Sequence, residues 1–447
     1  MLPTLFFRVM NRCLAICVIF GVALFAQPAL AQTVAKTSSA LLSDEVAKEV
    51  AKEVTKEGAK LLKTLETLTA IESGSLDLEG LAKIAVVISD RLKAAGMTVE
   101  NIPTKAPDNH LLLKGATLGS AVYGRFKGTG SKKVLLIAHM DTVYTKGMLA
   151  KQPFRVEGNR AYGLAISDDK GGIALILHTV ELLQRLRITD FAELGVLINA
   201  DEEVGSPGSS ALLTRLGGEY DAVFSYEGGG GERDWVRLAT SSIAIATMKV
   251  YGKASHAGAA PEAGRNALYE MSHQILKTRS LGNKAKGLSI NWTVAKAGEI
   301  RNVIPAQADA IADIRATATE DMDQLEAALR EAVKEHLIPD TRIEIEFLRS
   351  RPAFQANDAS RAMAKHAVGV FSEIGKTLVI RDTPTGGGTD AAFAAIKPKG
   401  GVLESFGLRG HGAHSNDDEY IYIDSIVPRL YLSTRMVIDM GQGKIRW

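Results

Sequence analysis

Three apolar runs in the first half of the chain each stop at a residue that can carry charge. Val134 to Ala138 ends at His139, Leu194 to Ile198 ends at Asn199-Ala200-Asp201-Glu202-Glu203, and Ala222 to Tyr226 ends at Glu227. Unbroken runs of this length predict strands covered on both faces, as in a mostly parallel sheet. Between them the apolar period becomes helical, over Leu78 to Ala95 (closed by Gly96), Gly171 to Leu186 and Ala211 to Leu216. Val99 to Pro103 and Asn109 to Leu113 read as additional strands. The alternation predicts an α/β fold with a mainly parallel sheet flanked by helices. In such sheets ligands gather beyond the carboxyl ends of the strands, where His139, Glu202, Glu203 and Glu227 fall.

The pattern changes near Ser241. Ile243 to Val250, Leu288 to Ala297, Asp309 to Ala316 and Arg342 to Leu348 read as strands, with helices at Asn266 to Lys277 and Asp321 to His336. This predicts a small inserted α+β domain over 241–350, βαβ-βαβ in flavour. The first pattern resumes after Pro352, with a helix at Ser360 to Gly375, a strand at Gly401 to Glu404 and a closing helix at Ser425 to Met440. The catalytic unit is therefore expected to be discontinuous, over 32–240 and 351–447. Ahead of it runs a four-residue repeat, EVAK-EVAK-EVTK-EGAK over 45–60. Its Glu–Lys pairs and narrow valine stripe predict a solvated surface helix.

Residues 1–31 stand apart. Arg8 and Arg12 precede an apolar run from Cys13 to Ala26 that is short for a membrane span, and Ala29-Leu30-Ala31 forms a small-residue cleavage site. This is the pattern of a secretory signal peptide cleaved after Ala31, which predicts export to the periplasm. Both cysteines, Cys13 and Cys17, lie inside it. The remaining chain then has no disulfide, no cysteine nucleophile and no thiolate ligand. Losing Arg8 and Arg12 lowers the basic count from 53 to 51, against 51 acidic residues. A neutral chain argues against nucleic acid or an anionic membrane as the main partner.

The candidate chemistry centres on Gly163 to Gly172, GLAISDDKGG, where Asp168 and Asp169 stand side by side before a helix. Two adjacent carboxylates at such a junction call for a cation. His139 and Asp141 lie on one side of their strand end, so the imidazole can ligate while Asp141 holds its other nitrogen. Asp168, Glu202, Glu203, Glu227 and His414 complete a set matching two metals bridged by one carboxylate. Imidazole and carboxylate without thiolate suit two Zn²⁺, with Co²⁺ or Mn²⁺ as alternatives. One of the paired glutamates can ligate and the other can act as general base. Four glycines after Glu227, Gly228 to Gly231, predict a loose segment on that side.

His139-x-Asp141, Asp168-Asp169-Lys170-Gly171, Asp201-Glu202-Glu203 and His414-Ser415 resemble the motifs of the M20 metallopeptidases. The likeness is to their secreted bacterial glutamate carboxypeptidases and runs from about Leu61 onward. It includes ligand-free stretches, KASHAGAAPE (253–262) and TGGGTDAA (385–392). The resemblance implies that His139, Asp168 and Glu227 hold one zinc and that Asp168, Glu203 and His414 hold the other. It makes Glu202 the base and Asp141 the residue that orients His139, and it implies a cis Asp168–Asp169 peptide. The insert becomes a ferredoxin-like lid and dimerisation domain, with His256 reaching the partner subunit's site in a homodimer.

The implied reaction releases C-terminal glutamate from N-acyl-glutamates such as folates. Arg315 and Arg351 match anion-binding positions, and Asn302 and the amides around Gly387 could add donors. The alternative is an M20 aminoacylase or di/tripeptidase with another side-chain preference. A non-catalytic binder of acyl-amino acids would require a missing ligand or base, and none is missing.

Overall fold

The structure is a computed structural model that describes residues 45–415 and 418–447. The leader and cleavage site expected from the sequence lie outside the described residues. In chain order the elements are α1 (Glu45–Thr69), α2 (Leu78–Ala94), β1 (Thr98–Lys105), β2 (Thr117–Lys127), β3 (Lys133–His139), α3 (Gly171–Arg185), β4 (Glu193–Asn199), α4 (Ser210–Glu219), β5 (Ala222–Ser225) and β6 (Asp234–Arg237). There follow β7 (Ser242–Tyr251), α5 (Ala267–Thr278), β8 (Ser289–Ala297), β9 (Gln307–Ala316), α6 (Thr319–Ala332), β10 (Arg342–Arg351), α7 (Asp358–Glu373), β11 (Leu378–Arg381), β12 (Gly401–Leu403) and α8 (Ile426–Gly441), with shorter strands and turns between. No described helix is long and apolar enough to cross a membrane.

The central sheet has six strands in the order β1-β2-β4-β3-β5-β12. From β4 to β12 it is parallel, and β1 and β2 add an antiparallel edge. Val134, Leu136 and Ala138 of β3 pack with the helices of one face, while Leu135 and Ile137 pack with Leu213 and Leu216 of α4 on the other. Burial on both faces is why β3 reads as an unbroken apolar run. The second sheet has four antiparallel strands in the order β8-β9-β7-β10. Strand β7 alternates buried and half-buried positions along its whole length. Its Ala244, Ala246, Met248 and Val250 face a core shared with Met271 of α5 and Leu325 of α6. The other face carries Ile243, Ile245, Asp313 and Arg315 toward a cavity shared with the central sheet.

Two local expectations are corrected, and one strand is added. Asn109 to Leu113 is not a strand but a turn. His110 Nδ1 accepts the amides of Leu112 and Leu113 at 3.3 and 3.1 Å, and the Lys114 amide reaches the His110 carbonyl at 3.1 Å. A side chain that captures the local amides leaves none for a neighbouring strand. Strand β2 was hidden in the sequence by its glycines. Packing explains them, because a Cβ at Gly119 would lie 2.8 Å from side-chain atoms of Leu81 and Ala200.

The EVAK helix is not a solvated surface element. It extends to Thr69, and Val50, Val54, Leu61, Leu65 and Leu68 are all buried against α3 and α8. Gly58 marks the close approach, since a Cβ there would sit 3.0 Å from Val427 of α8. Glu57 accepts from Arg185 at 2.6 Å and lies 2.9 Å from His178 Nδ1, so it ties α1 to α3 by charge as well. The Glu–Lys repeat dominated the sequence pattern, yet the apolar stripe beneath it sets the location. Leu65→Ala should therefore cost about 2–5 kcal/mol, while Lys63→Ala on the exposed face should cost under about 0.5 kcal/mol. Urea midpoints at unchanged m-value measure both, and equal small effects would return α1 to the surface.

Candidate metal centre

Every ligand position expected from the sequence comes together beyond the carboxyl ends of β3, β4 and β5. His139, the last residue of β3, places Nε2 3.0 Å from Asp168 Oδ1 and 3.5 Å from Glu227 Oε1. His414 places its Nε2 3.2 Å from both Asp168 Oδ2 and Glu203 Oε2. The two oxygens of Asp168 are thus divided between two imidazoles, each of which also meets a glutamate. His139, Glu202 and Glu227 form one cluster with metal-binding spacing, and His139, Asp168 and Glu203 form another. Imidazoles and carboxylates, crowded and without thiolate, make a donor set that fits divalent cations. The Asp168–Asp169 peptide is cis, as the resemblance implied.

The electrostatics point the same way. Burial pushes the Glu227 carboxyl well above its ordinary range, and the neighbouring Asp168 adds repulsion. Burial also raises Glu202 and Glu203, with Arg351 and His414 respectively pulling back. Burial opposes the charge on Asp168, but hydrogen bonds to His139 and His414 hold its carboxyl well below the usual range. His414 is pushed up to about 11 by its hydrogen bonds to Asp168 and Glu203.

Backbone and side-chain partners hold these groups in place. His139 Nδ1 donates to the Asp141 carbonyl at 3.0 Å, while the Asp141 carboxylate lies 3.5 Å away. That carboxylate accepts the amides of Glu202 and Glu203, each at 3.0 Å, and the Ser75 hydroxyl at 2.8 Å. Asp141 therefore sets the paired glutamates as well as the imidazole. Glu419 was not found from the sequence. It accepts the amides of Ser167 and Asp168 at 2.8 and 3.0 Å and the Tyr144 hydroxyl at 2.6 Å. A single acid in a polar loop carries no local signal for such a role. The run after Glu227 is packed rather than loose. The Gly229 amide reaches the Leu408 carbonyl at 2.8 Å, its carbonyl accepts from buried Arg429, and a Cβ there would lie 2.1 Å from the Gly407 oxygen. Glycine is needed there for close approach.

The ligands open into a cavity of about 490 Å³. Arg315, Arg351 and Gly387 line it, together with Arg237, Ile243 and Ile245. Arg351 is almost fully buried. Its guanidinium pairs with Glu202 Oε1 and donates to the Glu202 carbonyl at 2.9 Å and Ser206 Oγ at 3.2 Å. Arg315 donates to both oxygens of Asp313, at 2.9 to 3.2 Å, and to the Gly386 carbonyl at 3.0 Å. His256 and Asn302 do not line this cavity. They meet in a turn of the second sheet's region, where His256 Nδ1 accepts the amides of Gly258 and Ala259 and the Asn302 carbonyl accepts the Ala257 amide.

Known proteins match this arrangement. Residues 135–439 match the peptidase family M20/M25/M40. The chain is 44% identical over 384 residues to carboxypeptidase G2 of Pseudomonas sp. (strain RS-16), covering 86% of this chain and 90% of that one. Among solved structures, the Saccharomyces cerevisiae di-peptidase Dug1p superposes with a TM-score of 0.71 at 15% identity, covering 89% of this chain and 98% of that one. The Bacillus subtilis YXEP protein, described as a dinuclear metal binding peptidase from the M20 family, superposes with a TM-score of 0.59 at 16% identity over 86% and 98% of the two chains. With the family matched across both sides of the inserted sheet and the donor set assembled, the chain belongs to the M20 peptidases and is a metal-dependent hydrolase of their metallocarboxypeptidase kind.

Proposed function

We propose that the chain hydrolyses the amide joining an acyl group to a C-terminal glutamate, folates being one such class, with two zinc ions as its metals. The observation that carries this reading is Asp168, divided between two histidines, beside a glutamate pair in a cavity that also holds arginines. The 44% identity to carboxypeptidase G2 supports the glutamate preference. His139, Asp168 and Glu227 would hold one ion, and Asp168, Glu203 and His414 the other. When bound, such a pair supplies Lewis acidity at the scissile carbonyl and lowers the pKa of water.

The chain's own groups do the rest. Glu202 takes the proton from the attacking water and passes it to the leaving nitrogen. Arg351 fixes the Glu202 carboxylate, and the amide bonds to Asp141 fix its backbone. Arg315, Arg351 and the open backbone at Gly387 face the leaving amino acid. The inserted sheet, whose βαββαβ order is that of ferredoxin-like domains, serves as lid and dimerisation surface. The free face of His256, with Asn302, then reaches the oxyanion of the partner subunit in a homodimer. The leader at 1–31 supports export to the periplasm.

Purified mature protein should release glutamate in strong preference over Asp, Ala and Leu from a matched N-acyl series, and a chelator should abolish the release. Equal or better cleavage of the apolar members would move the chain to the aminoacylase or peptidase reading. Glu202→Gln should lower kcat about 10²–10⁴-fold with metal content unchanged by elemental analysis. Retained turnover would take the base role from Glu202. Asp141→Asn turns its NH₂ toward one of the two backbone N–H donors that the carboxylate now accepts and should weaken metal binding about 10–100-fold. Competition against a chromogenic chelator measures this, and unchanged affinity would remove Asp141 from the support of the centre.

A further inference from the structure

Three arginines line the cavity, and two have protein partners for their guanidinium groups. Arg351 is paired with Glu202 and lies 3.8 Å from Asp390, and Arg315 is held by both oxygens of Asp313. Arg237, the last residue of β6, differs. Among the described residues no hydrogen bond or ion pair engages its side chain, and its Nε is buried without a partner. Its guanidinium carbon stands 5.7 Å from the Trp235 ring centroid, and the Arg381 guanidinium carbon lies 3.7 Å from the same ring. The nearby acid, Glu404, is tied to Arg237 through backbone bonds of 2.9 and 3.2 Å, but its carboxylate turns to Thr389 and Ser405 at 3.1 and 3.4 Å. The backbone of β6 and the indole thus hold a cation at the cavity wall, and Glu404 attracts it through space without a hydrogen bond or close ion pair. A planar guanidinium held this way matches a carboxylate by two parallel hydrogen bonds.

We propose that Arg237 binds a carboxylate of the leaving amino acid and is a specificity-determining residue of the cavity. The inference rests on the acyl-glutamate reading and adds a residue that reading does not contain. Arg351 can reach a substrate only by loosening its hold on Glu202, and Arg315 only by leaving Asp313. Arg237 breaks no hydrogen bond or close ion pair when an anion arrives, so its donors are available to the ligand. The partnerless Nε also gains its missing acceptor.

The test compares metal-loaded wild type, Arg237→Gln and Arg237→Lys on an N-acyl-glutamate, the matching N-acyl-glutamine and the N-acyl-glutamate α-amide. Arg237→Gln should raise KM for the N-acyl-glutamate roughly 10- to 100-fold while kcat stays within about threefold. It should also erase the wild-type preference for the diacid over one of the two amides. Loss of discrimination against glutamine assigns Arg237 to the side-chain carboxylate, and loss against the α-amide assigns it to the α-carboxylate. Arg237→Lys should fall between the two, and it carries the test if the Gln variant does not fold. Calorimetric titration with glutarate needs no turnover and should show the same loss of affinity. Equal losses on all three substrates, or unchanged KM and glutarate affinity, would overturn the proposal. If wild type cleaves none of the three yet binds glutarate more tightly than the variants, the acyl-glutamate reading fails and the anion site stands.

Discussion

The site depends on keeping several buried carboxylates together without letting them drive one another apart. Asp141, Asp168, Asp169, Glu202, Glu203 and Glu227 crowd the ends of three adjacent strands, and bringing like charges out of water is unfavourable unless each finds donors. Each of the central ones does. Asp141 is held by two backbone amides and Ser75, Asp168 by two imidazoles, Glu202 by Arg351 and Glu203 by His414. Glu227 has the 3.5 Å approach to His139, and burial raises its carboxyl well above the ordinary range. The arrangement is one that cations complete, which is the condition for a metal-dependent hydrolase.

The scaffold answers this requirement at some distance from the chemistry. Helix α1 packs its buried stripe on α3, and α3 begins directly after the Asp168–Lys170 turn. Lys170, fully buried, donates to the Ile71 carbonyl at 2.7 Å and ties that turn to the chain just beyond α1. Burial lowers its ammonium to about 7, against the opposing pull of Glu419 and Glu72. Glu419 then fixes the amides on the other side of the same turn. A helix that looks peripheral by its charges is therefore part of the support for the bridging aspartate.

The arginines divide into structural and available cations. Arg429 and Arg435 are buried and hold helix α8 to Asp234 and Glu373. Arg351 lies between the two classes, in the cavity wall but bound to the proposed base. Such commitments, rather than the number of arginines in a cavity, decide which of them can meet a substrate anion.

The sequence by itself determined the class of the sheet, the strand ends and the ligand types. Continuous apolar runs have one good solution, burial on both faces, and a charged residue at their carboxyl end then falls at the mouth of the site. It also limited the chemistry of the donor set, because the chain beyond Cys17 has no thiol. Only the tertiary structure decided which acid serves which partner. Glu419 lies 251 residues from Asp168 and Arg351 lies 149 from Glu202, so no local pattern could link them. The same holds for the placement of α1, where the Glu–Lys repeat masked the stripe that α3 and α8 cover. It holds too for the turn at His110, where a side chain captured the amides a strand would have used. Periodicity reports what a segment can bury; which surface arrives to cover it, and which charge arrives to pair, is a property of the folded chain.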